Sequence, residues 1–274
     1  MSSESQAMKR FYDSVGEHYP EEESVYHTLR GLLRKRFVLD WIRNRQGSLL
    51  EIGTNRGMYL QYYDGGLRVG ADLSLTALKQ AARAKSVHYL VADAERLYCF
   101  KSSSLDNVLC SEVIEHCMHP QDIMNGIAHV LVPGGEALIT TPNYRGERPQ
   151  WLSIGVMREY GVRSEWENEQ YFHTAYRPEE LENMACQAGL HVLDSGTFEK
   201  DVKYAAKIPA ALLLSGRWIN RLFRSSRLAA VNEKFFQDFQ VFIYQCCKVC
   251  GLNRVLLKFV KEGVRTFIRV RRKF

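Results

Sequence analysis

Hydrophobic and polar positions change period along this 274-residue chain, and each change marks a different kind of element. From 8 to 45 the apolar residues Leu29, Leu32, Leu33, Phe37 and Trp41 recur at three- and four-residue intervals among basic side chains, which predicts helix. After Gln46-Gly47, short apolar runs of strand length follow one another at 49–52, 68–71, 88–92, 106–110 and 136–140. Helix-like stretches near 57–63, 74–84 and 121–131 separate them. The second opens on Ser74, whose hydroxyl suits a helix N-terminus. Alternating strand and helix predicts a parallel sheet covered on both faces, a doubly wound α/β domain. Residues 176–189 (YRPEELENMACQAG) predict one more helix, begun by Pro178 and stopped by Gly189, which feeds a strand over 191–198.

Beyond that point the pattern is less regular. Residues 239–246 (FQVFIYQC) are expected to form the last strand, which makes 199–238 a helical insertion. From Leu252 onward, apolar residues such as Val255, Phe259 and Phe267 fall at helical spacing, with Arg254, Lys258 and Lys261 elsewhere on the wheel. That pattern predicts a basic amphipathic helix over 250–274, of the kind that lies in a membrane interface. The expected organisation is a helical lid over 1–45, an α/β domain over 46–249 and the basic helix over 250–274.

Charge sharpens this division. Residues 1–199 hold 20 Lys and Arg against 27 Asp and Glu, whereas residues 200–274 hold 17 against 4, and the whole chain carries a net +6. A basic terminal quarter on an acidic body points to an anionic partner. An anionic membrane surface met through 204–224 and 252–274 fits, because no recognised nucleic-acid-binding module accompanies the charge. The same helices could instead pack on the domain, or on a second copy in a homodimer. The polar start, seven irregularly spaced cysteines and lack of a long apolar span lead us to expect a cytoplasmic protein, peripheral at the membrane. The cluster Cys246, Cys247 and Cys250 lacks a second ligand pair and is expected to pack rather than bind zinc.

The chemistry concentrates where LLEIGTNRGMYL (49–60) ends the first strand. Gly53, Asn55 and Gly57 do not meet the G-x-G-x-x-G spacing of a dinucleotide loop, and Asn55 stands where a middle glycine would be. Asn visits the left-handed region more readily than other non-glycine residues, so the change is mild. Glu51 beside the loop would repel a pyrophosphate but could receive an ammonium. Asp72 ends the second strand, placed to accept ribose hydroxyls, although NAD sites share that feature. Asp93 follows the third, where a carboxylate can take an adenine amino hydrogen. LDNVLCSEVIEHC (105–117) and LVPGGEALITTPN (131–143) complete the series.

With these motifs in order, residues 46–198 resemble a class I S-adenosylmethionine-dependent methyltransferase of the small-molecule type. The resemblance implies a Rossmann-like, seven-stranded sheet whose last strand is antiparallel, and S-adenosyl-L-methionine as cofactor. It also implies that Glu51, Gly53, Asn55 and Gly57 frame the methionine moiety, that Asp72 and Leu73 hold ribose and adenine, and that Asp93 with Ala94 meets the adenine edge. Ser111 and Glu112 are placed at the floor of the acceptor side. The fourth strand runs into Ser-Glu-Val-Ile-Glu-His, not an Asn/Asp-Pro-Pro-Tyr box, which argues against exocyclic amines and leaves oxygen or carbon as the methylated atom.

His116 is the candidate general base, with Glu112 as its catalytic partner, since an unperturbed imidazole titrates near neutrality. Packing beneath the next helix is the alternative for His116. Glu112, Glu115 and His116 form an E-x-x-E-H box similar to one that ubiquinone-pathway O-methyltransferases and small-RNA 2′-O-methyltransferases use to hold a divalent cation, and His173 lies where a further ligand could return. Many relatives share the box without evident need of a metal, so it does not by itself imply one. Residues 140–181 resemble the substrate-covering segment of the quinone-type enzymes, and Tyr144, Trp151, Trp166, Tyr171 and Phe172 suit a ring-bearing acceptor. The expected activity is methyl transfer to oxygen or carbon of a small, lipid-like or isoprenoid-linked acceptor. A sugar or secondary-metabolite methyltransferase, a metal-dependent RNA 2′-O-methyltransferase and a non-catalytic scaffold remain alternatives.

Overall fold

Strand β1 (Leu49–Ile52) is buried at all four positions, as a central parallel strand covered on both faces must be. It pairs in parallel with β2 (Arg68–Asp72) on one side and with β4 (Leu105–Ser111) on the other. Parallel pairing continues to β3 (Val87–Val91) beyond β2 and to β5 (Leu131–Pro142) beyond β4. The far side is finished by β9 (Arg265–Arg272), antiparallel to β5, and then by β8 (Leu190–Phe198). The order is therefore β3-β2-β1-β4-β5-β9-β8, a mixed Rossmann-like sheet of seven strands. This computed structural model describes residues 3–19, 26–81, 86–207, 214, 216, 218 and 226–274.

The helices form where the sequence supplies caps and one apolar face. Helix α1 spans Ser3–His18 and α2 spans Leu29–Ile42. In α3 (Leu75–Ala81) the Ser74 hydroxyl accepts from the Ala77 N–H at 3.2 Å, the cap that the sequence suggested. Helix α4 (Pro120–Val130) has proline in its first turn and buries Ile123, Met124, Ile127 and Val130, a single stripe at helical spacing. In α5 (Pro178–Gln187) the Glu180 carboxylate accepts from the Arg177 N–H at 2.7 Å, and Gly189, at φ +76°, follows its end. One hydrophobic core joins β1, β4, β5 and β9 to α4 and α5 through Leu50, Val108, Ile127, Ile139, Leu181 and Ile268. A separate two-stranded ribbon pairs β6 (Trp151–Ser153) with β7 (Gln170–Phe172).

The chain divides into two compact units. Met1–Pro20, Val38–Gly196 and Arg265–Phe274 form the first, and Glu21–Phe37 with Thr197–Val264 form the second. The second unit contains α6 (Asp201–Ala205), α7 (Ser226–Val249) and α8 (Leu252–Leu257). Its core gathers Leu29, Val202 and Ala205 with Val241, Tyr244 and Leu256.

Three expectations need correction. Residues 57–63 form no α-helix, only turns and a 3-10 turn at Leu60–Tyr62. Residues 239–246 are not a strand but lie inside the 24-residue helix α7, where Gln240, Tyr244 and Cys247 turn inward at i, i+4 and i+7. No turn residue interrupts that run, so its β-branched and aromatic side chains yield to helix continuity and packing. The tail is not one amphipathic helix either. Helix α8 covers only Leu252–Leu257, and the chain then extends as β9, with Thr266, Ile268 and Val270 buried at every second position. Gly263 lies between them, and a Cβ there would collide with the carbonyl of Phe198. Strand alternation thus wins over helical spacing once the sheet has an open place beside β5. Of the surface expected over 204–224, residues 208–213, 215, 217 and 219–224 lie outside those described. Among the described residues no helix is long and apolar enough to cross a membrane.

Candidate active site

The candidate residues gather at the carboxyl ends of β1, β2 and β4, where the strand order reverses direction and open α/β sheets bind ligands. The loop leaving β1 is held in the left-handed region at Gly53 (φ +65°), Asn55 (φ 48°) and Gly57 (φ +74°). A Cβ on Gly53 would strike Val113, and one on Gly57 would strike the Tyr89 hydroxyl, so both positions need glycine. Buried Glu51 accepts from the Thr54 hydroxyl at 2.8 Å. Asp72 staples the loop to the end of β2. Its two oxygens accept from the Asn55 and Ser74 N–H groups, each at 2.8 Å. Burial raises the Asp72 carboxyl above its ordinary range, although those two N–H donors work in the opposite direction. Half-buried Leu73 follows. Asp93 caps a 3-10 turn over Ala94–Cys99 by accepting from the Glu95 N–H at 3.1 Å, which places Ala94 in its first position. The narrow loop and the acidic strand ends form a cradle suited to an amino acid joined to a nucleoside.

On the β4 side, the Ser111 and Thr140 hydroxyls are hydrogen-bonded at 2.9 Å, and Thr140 donates to Glu112 at 3.1 Å. Glu112 sits at φ 57°, a costly conformation for a non-glycine residue, held by this bond and by Arg265. The Arg265 Nε is 2.7 Å from Glu112 Oε2, and both side chains are mostly buried.

A 3-10 turn at Ile114–His116 then carries Glu115 and His116 inward. Glu115, His116 and His173 each bring a ligand-type atom within 4.8 Å of the others. Glu115 Oε2, His116 Nδ1 and His173 Nδ1 are buried with no hydrogen-bond partner. Burial, followed by the neighbouring charge of Glu112, raises the Glu115 carboxyl well above its ordinary value. Burial and the proximity of His173 push the His116 imidazole down to about 3. His116 is therefore neutral throughout the physiological range, not poised near neutrality as an exposed imidazole would be. Three orphaned polar atoms from one carboxylate and two imidazoles fit the donor chemistry of a divalent transition metal. The structure thus groups His173 with two members of the E-x-x-E-H box, whereas Glu112 faces Arg265.

An aromatic wall stands beside these residues. Tyr12 of α1 meets the His116 ring edge-on at 5.6 Å, and His173 does so from another side at 4.8 Å. Phe11 stacks on Tyr171 at 5.2 Å, and Phe11, Val15, Ile154 and Val162 form a small buried core between α1 and the 151–172 segment. Trp151 packs against Trp166 and Phe172. Tyr144 is turned to Glu180, to which its hydroxyl donates at 3.1 Å. Sequence reasoning missed Arg265, Thr140 and Tyr12. Only the alternation Arg265-Thr266-Phe267-Ile268-Arg269-Val270 could have announced the first.

Comparison with known proteins agrees with this geometry. Residues 50–139 match the model of the family described as "Methyltransferase domain". A "Ubiquinone biosynthesis O-methyltransferase" of Salmonella arizonae is 28% identical over 167 residues, covering 56% of this chain and 64% of that protein, less than two thirds of its length. A protein of the same description from Pseudomonas aeruginosa is 25% identical over 194 residues, covering 67% of this chain and 82% of that one. The solved 1,6-didemethyltoxoflavin-N1-methyltransferase of Burkholderia thailandensis, with bound S-adenosylhomocysteine, superposes with a TM-score of 0.53 at 16% identity, covering 71% of this chain and 82% of that chain; at such identity it shows the fold alone. The domain match over residues 50–139, the relatives and the sheet order agree, and together they support a class I S-adenosylmethionine-dependent methyltransferase.

Proposed function

We propose that this protein transfers a methyl group from S-adenosylmethionine to a hydroxyl oxygen of a small, ring-bearing, lipid-like acceptor. The observation that carries the reading is the half-buried His116, neutral and with a buried, unpartnered Nδ1, set among Tyr12, Tyr171 and His173. Bound in the β1–β2 cradle, the cofactor supplies a methyl carbon made electrophilic by its sulfonium. Asp72 and Asp93 hold the nucleoside half, and the Gly53–Gly57 loop with Glu51 frames the amino-acid half. The aromatic wall holds the acceptor ring and excludes water, so that alignment supplies much of the rate. Neutral His116 would accept the hydrogen bond of the acceptor hydroxyl and take its proton as the carbon–oxygen bond forms and the methyl carbon–sulfur bond breaks, leaving the thioether S-adenosylhomocysteine. The similarity to ubiquinone-pathway O-methyltransferases supports oxygen as the methylated atom and an isoprenoid-linked ring as the acceptor class.

A second reading adds a divalent cation, favoured by the three orphaned donor atoms. Glu115, His116 and His173 would hold it, and it would supply Lewis-acid binding of the acceptor oxygen.

Methyl-labelled cofactor offered with a panel of catechols and prenylated phenols tests the main reading. The expected product carries the label on oxygen. Labelling at carbon or nitrogen, or no turnover by protein that binds S-adenosylhomocysteine, overturns it.

A further inference from the structure

We propose that the second unit docks on an anionic lipid surface through the outward faces of α7 and α8. The argument starts from α7, which is amphipathic in an unusual sense. Its inward face, Gln240, Tyr244 and Cys247, meets the unit's own core. The opposite face should be polar in water, yet Val231, Phe235, Phe242 and Val249 lie there, spaced four, seven and seven residues apart, within about 40° of one another on the wheel. Phe242 is 57% exposed and Val249 90% exposed. The apolar exposure continues with Leu252 and Val255 of α8 and with Phe259, which is 82% exposed. Single exposed apolar residues need no explanation, whereas four recurring on one helix face do, even with exposed Asp238 and Gln245 between them.

Charge decides what covers it. Between Lys234 and Lys261 the exposed charged side chains are Lys234, Lys248, Arg254, Lys258 and Lys261, against one acid, Asp238. A second copy would set these cations against one another. A nucleic acid would satisfy the charge and leave the phenylalanines and valines in water. An anionic bilayer satisfies both, taking the apolar stripe at the acyl boundary and the lysines at the headgroups. The surface also lies outside residues 50–139, the part matched by the methyltransferase domain family. None of these observations depends on the identity of the acceptor.

Sedimentation of the full chain with vesicles of phosphatidylglycerol and phosphatidylcholine tests the proposal, with pure phosphatidylcholine vesicles alongside. The expected result is binding to the anionic vesicles that falls at least ten-fold when salt is raised from 50 to 500 mM. The paired substitutions Phe242→Ser and Phe259→Ser, and separately Lys248→Glu and Lys258→Glu, should each lower the bound fraction about ten-fold. Both variants should keep the wild-type melting temperature and affinity for S-adenosylhomocysteine, which separates failure of docking from failure of the methyltransferase site. Absence of binding to anionic vesicles, or binding unaltered in both variants, overturns the proposal. So does a lipid-free dimer that the phenylalanine variant splits.

Discussion

Arg265 Nε stands 2.7 Å from Glu112 Oε2, so a residue of the last strand of the sheet neutralises the carboxylate that ends the fourth. Glu115, whose carboxyl is pushed upward partly by Glu112, feels the same guanidinium. Removing Arg265 leaves the Glu112 charge mostly buried and unmatched, a loss that costs about 3 kcal/mol at comparable sites. Arg265→Met is therefore expected to be destabilised by about that amount in denaturant titration. The double variant Arg265→Met with Glu112→Gln should regain most of it. Equal additive losses would show that the pair is not coupled.

The same cation opposes a metal ion held next to it. A transition-metal ion should raise the melting temperature of protein stripped by chelation, and should fail to do so in His173→Ala, if the three-residue cluster is the binding site. Arg265→Met should bind the ion more tightly than wild type. Full activity after exhaustive chelation would remove the metal from the reaction while leaving His116 in place.

His116→Ala is expected to lower kcat by about 10²–10⁴-fold, the range typical for loss of a general base. Affinity for S-adenosylhomocysteine, measured by calorimetry, should stay within two-fold, because the proposed function sets His116 on the acceptor side. A comparable loss in cofactor affinity would mean that His116 only packs beneath the site.

Asp72 holds the Asn55 and Ser74 N–H groups, and in the proposed function it also receives the nucleoside of the cofactor. Asp72→Ala should weaken S-adenosylhomocysteine binding by about 1–3 kcal/mol, or roughly 5- to 150-fold. Asp72→Asn should lose less, because an amide oxygen still accepts one of the two backbone bonds. Identical losses in both would assign the whole effect to charge.

Glu136 supplies the pH prediction. Burial alone would raise its carboxyl, but the hydrogen bond from Arg271 and the charges of Arg45 and Arg271 outweigh this and hold it below the ordinary carboxylate value. A carboxyl depressed in the folded state adds stability above its unfolded value, near pH 4.3, and loses it as pH falls through the lower folded value. Glu136→Gln should remove that dependence. Its stability below about pH 4 should approach wild type, with a deficit of about 1 kcal/mol at pH 7. A constant deficit across the range would show that packing, not titration, carries the effect.

The parts of this fold legible in the sequence are those where local pattern and tertiary role agree. Apart from the helix expected at 57–63, the alternating strands and helices from 46 to 198, the cap at Ser74 and the stop at Gly189 follow from periodicity and turn chemistry. Asn55 in the left-handed region follows from its side chain. Residues 239–246 misled because aromatic and β-branched side chains suit a strand, while only the uninterrupted run from Ser226 to Val249 reveals the helix. The tail misled for the opposite reason. Residues 265–271 alternate, but their apolar positions also fall at helical spacing with those before Gly263, and one long pattern obscured the change of period. That error removed Arg265 from the candidate site, since a tail helix gives no reason to place it beside Glu112.

The order of β9 in the chain has a consequence for the birth of the molecule. Glu136 and Arg271, joined across neighbouring strands, are 135 positions apart. While the ribosome is still adding the residues of the second unit, β5 must therefore wait with one edge unpaired, and β8 has no neighbour to join. The sheet closes only after residue 272 has left the exit tunnel, as late insertion of a strand between two others. A nascent chain stopped before 265 would carry the complete cofactor loop and the E-x-x-E-H box, yet lack the guanidinium at Glu112 and expose a sticky edge to chaperones and proteases.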